Sequence, residues 1–197
     1  MYGFISSTTA PYTSPLPPQS KLCPTIDLSK QSGFCLNQVP RKIAAFVLEL
    51  LNTPKWLQYI GDRNVHTLEA AEEYIRNRML PQYARLGYGN YTVTRKTDGA
   101  KLGNCGLYDR EGLEGIDIGF AFLPEHEGNG YALEAATEVK RAAIEIFGLT
   151  RIGAITVKEN TSSQKLLEKL GLRYQKTVQL PDSNEELLYY ELIVTPA

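Results

Sequence analysis

Apolar positions in this chain recur with two spacings, and the switch between them outlines the fold. Ile43, Ala44, Val47, Leu48, Leu50 and Leu51 follow the helical period of about 3.6 residues and end before Asn52-Thr53-Pro54. A second helical stripe starts near Thr67 and runs through Leu68, Ala71, Tyr74, Ile75 and Met79, with Glu69, Glu72 and Glu73 where the helix dipole favours acids. Trp56 and Tyr59 fall between the two helices, either as packing residues that close a loop over the core or as one wall of a substrate cleft. Alternation takes over at Tyr91–Arg95, resumes at Leu102–Tyr108 after the hairpin signal Asp98-Gly99, and returns at Ile116–Leu123.

Beyond that meander the periods alternate. A helix from about Gly128 to Phe147 turns Ala132, Leu133, Ala136, Val139, Ala143, Ile144 and Phe147 inward and stops at Gly148. Arg151–Val157 reads as a strand, Asn160–Leu170 as a short helix ended by Gly171, and Leu172–Val178 and Leu187–Val194 as further strands. Pro181-Asp182-Ser183-Asn184 is the turn before the last of them. This order predicts an α+β fold with a sheet of mixed direction flanked by helices. Met1–Ser20 is rich in Ser, Thr and Pro without period and is expected to be a disordered or extended arm, which leaves 21–197 as one domain. Leu22, Ile26, Leu28, Phe34 and Leu36 form a broken alternation, one or two short strands.

Composition narrows the function. A length of 197 residues suffices for a real core, and a net charge of −1 with scattered Lys and Arg leaves no footprint for nucleic acid. Cys23, Cys35 and Cys105 form no C-x-x-C pair, so neither a zinc site nor a disulfide framework is indicated and a reducing compartment is expected. His66 has no companion for a metal, and His126, between Glu125 and Glu127, reads as a surface residue. The start of the chain shows no basic n-region or apolar h-region, and no run approaches the roughly 18 apolar residues of a membrane span. The expectation is a cytoplasmic protein, monomer or homodimer, that does not associate with membrane.

The stretch with chemistry in it is I-D-I-G-F-A-F-L-P-E-H-E-G-N-G-Y-A-L-E-A-A, from Ile116 to Ala136. An apolar strand, a turn with Gly128 and Gly130, and a helix follow one another, which is the order that builds an anion site from helix N-terminal amides. The third glycine of the dinucleotide fingerprint is missing, and no Gly-Lys-Ser/Thr follows as a P-loop would require. An ordinary tight turn is the alternative on this spacing alone.

With E-N-T-S-S-Q-K-L-L-E-K-L-G-L at Glu159–Leu172, this stretch resembles the GNAT acetyltransferase superfamily over roughly Ile43 to Leu192. The first segment is similar to its pyrophosphate-binding turn, Q/R-x-x-G-x-G/A, matched by Glu125, Gly128 and Gly130; the second is similar to the helix beside the pantetheine arm. Within the superfamily the N-T-S-S-Q-K-L-L-E-K-L-G motif and Gln179–Pro181 most resemble the RimJ/RimL-type ribosomal-protein-alanine N-acetyltransferases. The resemblance implies a mostly antiparallel twisted sheet splayed in the middle, acetyl-CoA as co-substrate, no metal, and transfer of the acetyl group to a primary amine of a protein N-terminus or small molecule. It implies that the backbone of Phe120, Ala121 and Phe122 pairs with pantetheine, and that Glu127, Gly128, Asn129, Gly130, Tyr131 and Ala132 hold the pyrophosphate.

By the same resemblance, Asp117 takes the place of an acid that receives the amine's proton, Asn160 bonds near the pantetheine or the amine, and Ser163 meets the CoA sulfur. On local grounds Asp117 is equally an exposed strand residue, Asn160 a helix N-cap and Ser163 a helix-surface residue. Lys165 and Lys169 reach toward the phosphates or are simply solvated. Three departures stand out: Glu125 at the Q/R position, Leu167 where many members carry a tyrosine acid, and residues 1–40 without the usual R-L-x-L-R strand. A non-catalytic CoA-binding or interaction module is therefore the competing reading, and a nucleotide-binding domain a third.

Overall fold

The computed structural model describes residues 34–38, 43–181 and 183–194, the first of these segments by its backbone. The expected arm at Met1–Ser20, the alternation at Leu22–Leu28 and Asp182 lie outside the described residues. The elements are β1 (Phe34–Gln38), α1 (Ala44–Leu51), α2 (Pro54–Tyr59) and α3 (Leu68–Tyr74), then a π-helical turn (Ile75–Met79) leading into α4 (Leu80–Leu86). There follow β2 (Asn90–Arg95), β3 (Lys101–Asp109), β4 (Ile116–Phe122), a 3₁₀ turn (Pro124–His126), α5 (Tyr131–Glu145), β5 (Arg151–Val157), α6 (Thr161–Lys169), β6 (Arg173–Val178) and β7 (Leu187–Ile193). Among the described residues no helix is long and apolar enough to cross a membrane.

The strands form one seven-stranded sheet in the order β1-β2-β3-β4-β5-β7-β6. Every neighbouring pair is antiparallel except β4 and β5, which run parallel and are joined at a single paired position, Asp117 opposite Gly153. Past that point β4 continues through Ile118–Phe122 with no β5 partner, so the sheet parts in its middle as expected. The edge that in the resembled family carries R-L-x-L-R is made here by F-C-L-N-Q, within the broken alternation that predicted one or two short strands, and it pairs antiparallel with β2.

Each face of the sheet carries its own core. On one, Ala135, Ala136, Val139, Ala142 and Ala143 of α5 settle onto Val93, Cys105, Leu107 and Ile118, a stripe of small side chains that brings the helix close to the strands. Leu167 of α6 belongs to this core at 1% exposure. Leu167→Ala is expected to cost about 2–5 kcal/mol, read from the midpoint of chemical denaturation. The second core joins Val47, Leu50 and Leu51 of α1 to Ala71, Ile75 and Met79.

Two helix boundaries differ from the expectation. Trp56 and Tyr59 lie on α2, not in a loop: Thr53 accepts a hydrogen bond from the Trp56 amide at 3.4 Å and Pro54 opens the helix, so the Thr-Pro pair that ends one helix starts the next. The second helix passes Met79 and reaches Leu86, because the π turn has already opened its hydrogen-bond ladder where Pro81 enters, and Gly87 at φ 78° closes it.

Candidate active site

Register puts a polar row on one side of the sheet. Thr92, Asn104 and Ala121 lie opposite one another across β2, β3 and β4; Asn90, Gly106 and Gly119 form the next rung, and Tyr108 faces Asp117. Alternation then sends Cys105, Leu107, Ile118 and Phe120 to the α5 side. The polar side floors a cleft of about 970 Å³, walled by Trp56, Tyr59 and Tyr74 and bounded across the splay by Asn160, Ser163 and Leu187.

At the vertex of the splay sits an ion pair that the sequence did not reveal. Asp117 is 2% exposed, not an open strand residue, and both its carboxylate oxygens accept from Arg110 Nε at 2.9 Å. The Arg110 guanidinium lies 4.8 Å from the centre of the Tyr108 ring, and the Tyr108 hydroxyl donates to Asn90 Oδ1 at 2.6 Å. Burial pushes the Asp117 carboxyl above its ordinary range, with the Arg110 charge and hydrogen bond pulling the other way. Burial likewise raises the Tyr108 phenol. Arg110 belongs to the loop after β3, and only the pairing of Tyr108 with Asp117 brings it over β4.

The glycine turn follows β4. Gly128 and Gly130 adopt φ 75° and 82°, a left-handed conformation that other residues enter at a cost, and a Cβ at either position would meet nothing within 4 Å. Among the described residues the amides of Gly128, Asn129 and Gly130 donate to no protein acceptor. Ala132 lies in the first turn of α5, where the intrahelical ladder leaves amides outside it. The Glu127 amide is a correction to the expected set, because it already donates to Pro124 O at 3.2 Å. The Glu127 carboxylate is paired with Lys55 on α2. Asn129 folds its side-chain amide back onto Glu127 O at 3.0 Å, closing the turn, and Arg95 reaches the Tyr131 hydroxyl at 3.4 Å.

Across the splay, Asn160 is the N-cap of α6: its Oδ1 accepts from the Ser163 amide at 3.0 Å. Asn160, Ser163, Lys165, Leu167 and Lys169 all line the cleft, and Leu167 is at the same time packed into the core. The open strand edge at Phe120–Phe122, the spare amides of the turn and α6 thus border one continuous cleft. Among the described residues no group of three His, Cys, Asp or Glu side chains is placed to hold a metal ion.

The comparisons agree with this architecture. A YoaA protein of Bacillus subtilis, named an uncharacterized N-acetyltransferase, is 25% identical over 139 residues, 70% of this chain and 78% of its own length. A GNAT-family acetyltransferase of Bacillus anthracis superimposes with a TM-score of 0.69 at 24% identity, covering 83% of this chain and 96% of that one. The ribosomal-protein-S5-alanine acetyltransferase of Vibrio fischeri shares the fold at TM-score 0.69 and 15% identity, covering 83% and 94%. The family model described as "Acetyltransferase (GNAT) domain" matches residues 34–173. Strand order, splay and sequence together make the chain a member of the GNAT acetyltransferase family, and an acyltransferase.

Proposed function

We propose that the protein is an N-acetyltransferase that moves an acetyl group from acetyl-CoA to a primary amine, of a protein N-terminus or a small molecule, by direct attack in a ternary complex. The observation that carries this reading is the unpaired edge of β4 from Ile118 to Phe122, leading straight into a turn with three spare amides. Extended backbone on that edge offers pantetheine a strand to pair with, and the amides of Gly128, Asn129, Gly130, Tyr131 and Ala132 take the diphosphate. The motif at Asn160–Gly171 favours the RimJ/RimL branch, and the absence of a disulfide pattern favours the cytoplasm.

Most of the chemistry is then positioning. The amine nitrogen attacks the thioester carbonyl, the C–N bond forms as the C–S bond breaks, and a β4 amide faces the developing oxyanion. Asp117 takes the amine's proton, directly or through water: the one Nε–H of Arg110, shared between its two oxygens, leaves lone pairs on both, and desolvation makes it a stronger base than an exposed carboxylate. Asn160 and Ser163 border the sulfur side, and with Leu167 in the tyrosine's place the leaving thiolate takes its proton from solvent.

Calorimetry with acetyl-CoA and CoA tests the reading, and absence of binding at millimolar ligand overturns it. The buried Leu167 favours a second reading, a CoA-binding module without turnover. A thiol-release assay over a panel of amines separates the two, since the module binds CoA and releases no thiol.

A further inference from the structure

Asn104 sits in the middle of β3, 3% exposed, and lines the cleft, yet neither its Nδ2 nor its Oδ1 has a hydrogen-bond partner. Thr92, opposite it in register, has an unpartnered hydroxyl as well. The indole N–H of Trp56, on the cleft wall, is the third buried polar group in this state. Buried polar groups are almost always satisfied, because leaving them dry forfeits their hydration without replacement. Two of these groups, on Asn104 and Trp56, line the same cleft, and Thr92 stands beside Asn104 in register, so the cleft offers a site for a polar ligand.

The chemistry of Asn104 defines that ligand. Its Nδ2 needs an acceptor and its Oδ1 needs a donor. A carboxylate answers only the first and an ammonium only the second, whereas an amide answers both in a reciprocal pair. The Trp56 N–H adds a donor and so favours a ligand carrying a carbonyl. Arg63 and Arg78, which also line the cleft, favour a ligand that presents an oxygen acceptor, and the acids leave an ammonium little to pair with near β3. Asp117 and Glu127 are paired with Arg110 and Lys55, while Glu159 and Glu185, which also line the cleft, lie in the β5–α6 and β6–β7 loops across the splay from β3. The ligand is the acceptor and not pantetheine, because β4 stands between β3 and the open edge. Asn104 also faces the side that carries Ala121 and the α1–α3 layer.

We propose that Asn104 is a specificity-determining residue that holds an amide group of the acceptor, a peptide bond or a carboxamide near the reacting amine. This rests on the acetyltransferase reading above. The test is thiol release from acetyl-CoA with five acceptors: alaninamide, the peptide Ala-Ala-Ala amide, alanine, isopropylamine and putrescine. The two amides are expected to exceed the other three in kcat/KM by at least about tenfold, as in sites built to bond a substrate polar group. A further gain for the peptide over alaninamide identifies a polypeptide as the source.

Asn104→Leu keeps the side chain's shape and removes both orphan atoms. It is expected to reduce the amide preference to near unity by raising KM, with CoA affinity unchanged and the melting temperature equal to or above that of the native chain. A native enzyme that prefers alanine or putrescine by the same margin overturns the inference and leaves the transferase standing. An Asn104→Leu variant that keeps the amide preference does the same. Thiol release with none of the five acceptors overturns the inference, and the transferase reading is decided separately by CoA binding in calorimetry.

Discussion

Asp117→Asn is expected to lower kcat by roughly 10²–10⁴-fold, the range for a positioned general base, while calorimetry finds CoA affinity unchanged. Asparagine keeps the shape and can still accept from Arg110, but it cannot carry away a proton. The native pH profile should show the same group: kcat/KM falls as pH drops through the Asp117 pKa, and that limb lies above the ordinary carboxylate range because burial raises it. Normal turnover in the Asn variant would remove Asp117 from the reaction. Asp117→Ala does more damage. It leaves Arg110, whose side chain is 31% exposed, without its counter-charge. Breaking a buried pair costs about 3–5 kcal/mol, and the partial exposure of Arg110 puts this one at the low end. At about 2–4 °C per kcal/mol for a domain of this size, a loss near 3 kcal/mol lowers the melting temperature by roughly 6–12 °C. Replacing both partners, as Asp117→Leu with Arg110→Met, should recover most of that loss, because no charge is then left dry. A double variant no better than Asp117→Ala would show that the two side chains are not coupled.

The contrast between Asp117 and Arg110 marks how far the sequence could be read. Strands with alternation or apolar and β-branched runs, β2 to β5 and β7, were legible because both faces of the sheet are covered and their side chains feed two cores. So was the splay, through the resemblance of Asp117–Ala135 to a coenzyme-binding strand and turn. Arg110 was not legible: its role depends on which residue of β3 lies opposite Asp117, and register is a tertiary fact that no local spacing encodes. Asn104 was hidden for a related reason. A single Asn in L-G-N-C-G breaks no period, and only the burial of its whole face makes its missing partners conspicuous. The two helix boundaries failed on competing local signals. Thr-Pro serves as both stop and start, and a π turn lets Pro81 sit inside what is otherwise one long helical run.

These residues divide the cleft by task. On the proposed reading, backbone groups of the glycine turn and β4 face the coenzyme, where glycine lets it come close, while side chains of β2, β3 and α2 face the acceptor. Lys55 ties the two together, since its α2 also carries Trp56 and its ammonium is held by Glu127 of the glycine turn. On the same reading, that ion pair joins the turn that takes the diphosphate to the wall that faces the acceptor.

Gly130→Trp is expected to abolish detectable CoA binding in a chain that still folds. Gly130 is the N-cap of α5 at φ 82°, and a side chain there pays about 1–2 kcal/mol for the left-handed conformation. That penalty falls mostly on stability, and Gly130→Ala, whose Cβ meets nothing within 4 Å, should show little else. An indole is different, because the open space around the turn is the space a diphosphate would fill. Charge-assisted hydrogen bonds contribute about 1.5–3 kcal/mol each, so blocking two of the spare amides lowers affinity by roughly 10²–10⁴-fold. Circular dichroism confirms folding and calorimetry reads the affinity. If a folded Gly130→Trp variant bound CoA as the native chain does, the diphosphate would have to lie elsewhere. The open edge of β4 would then lose the anchor that orients the thioester toward Asp117.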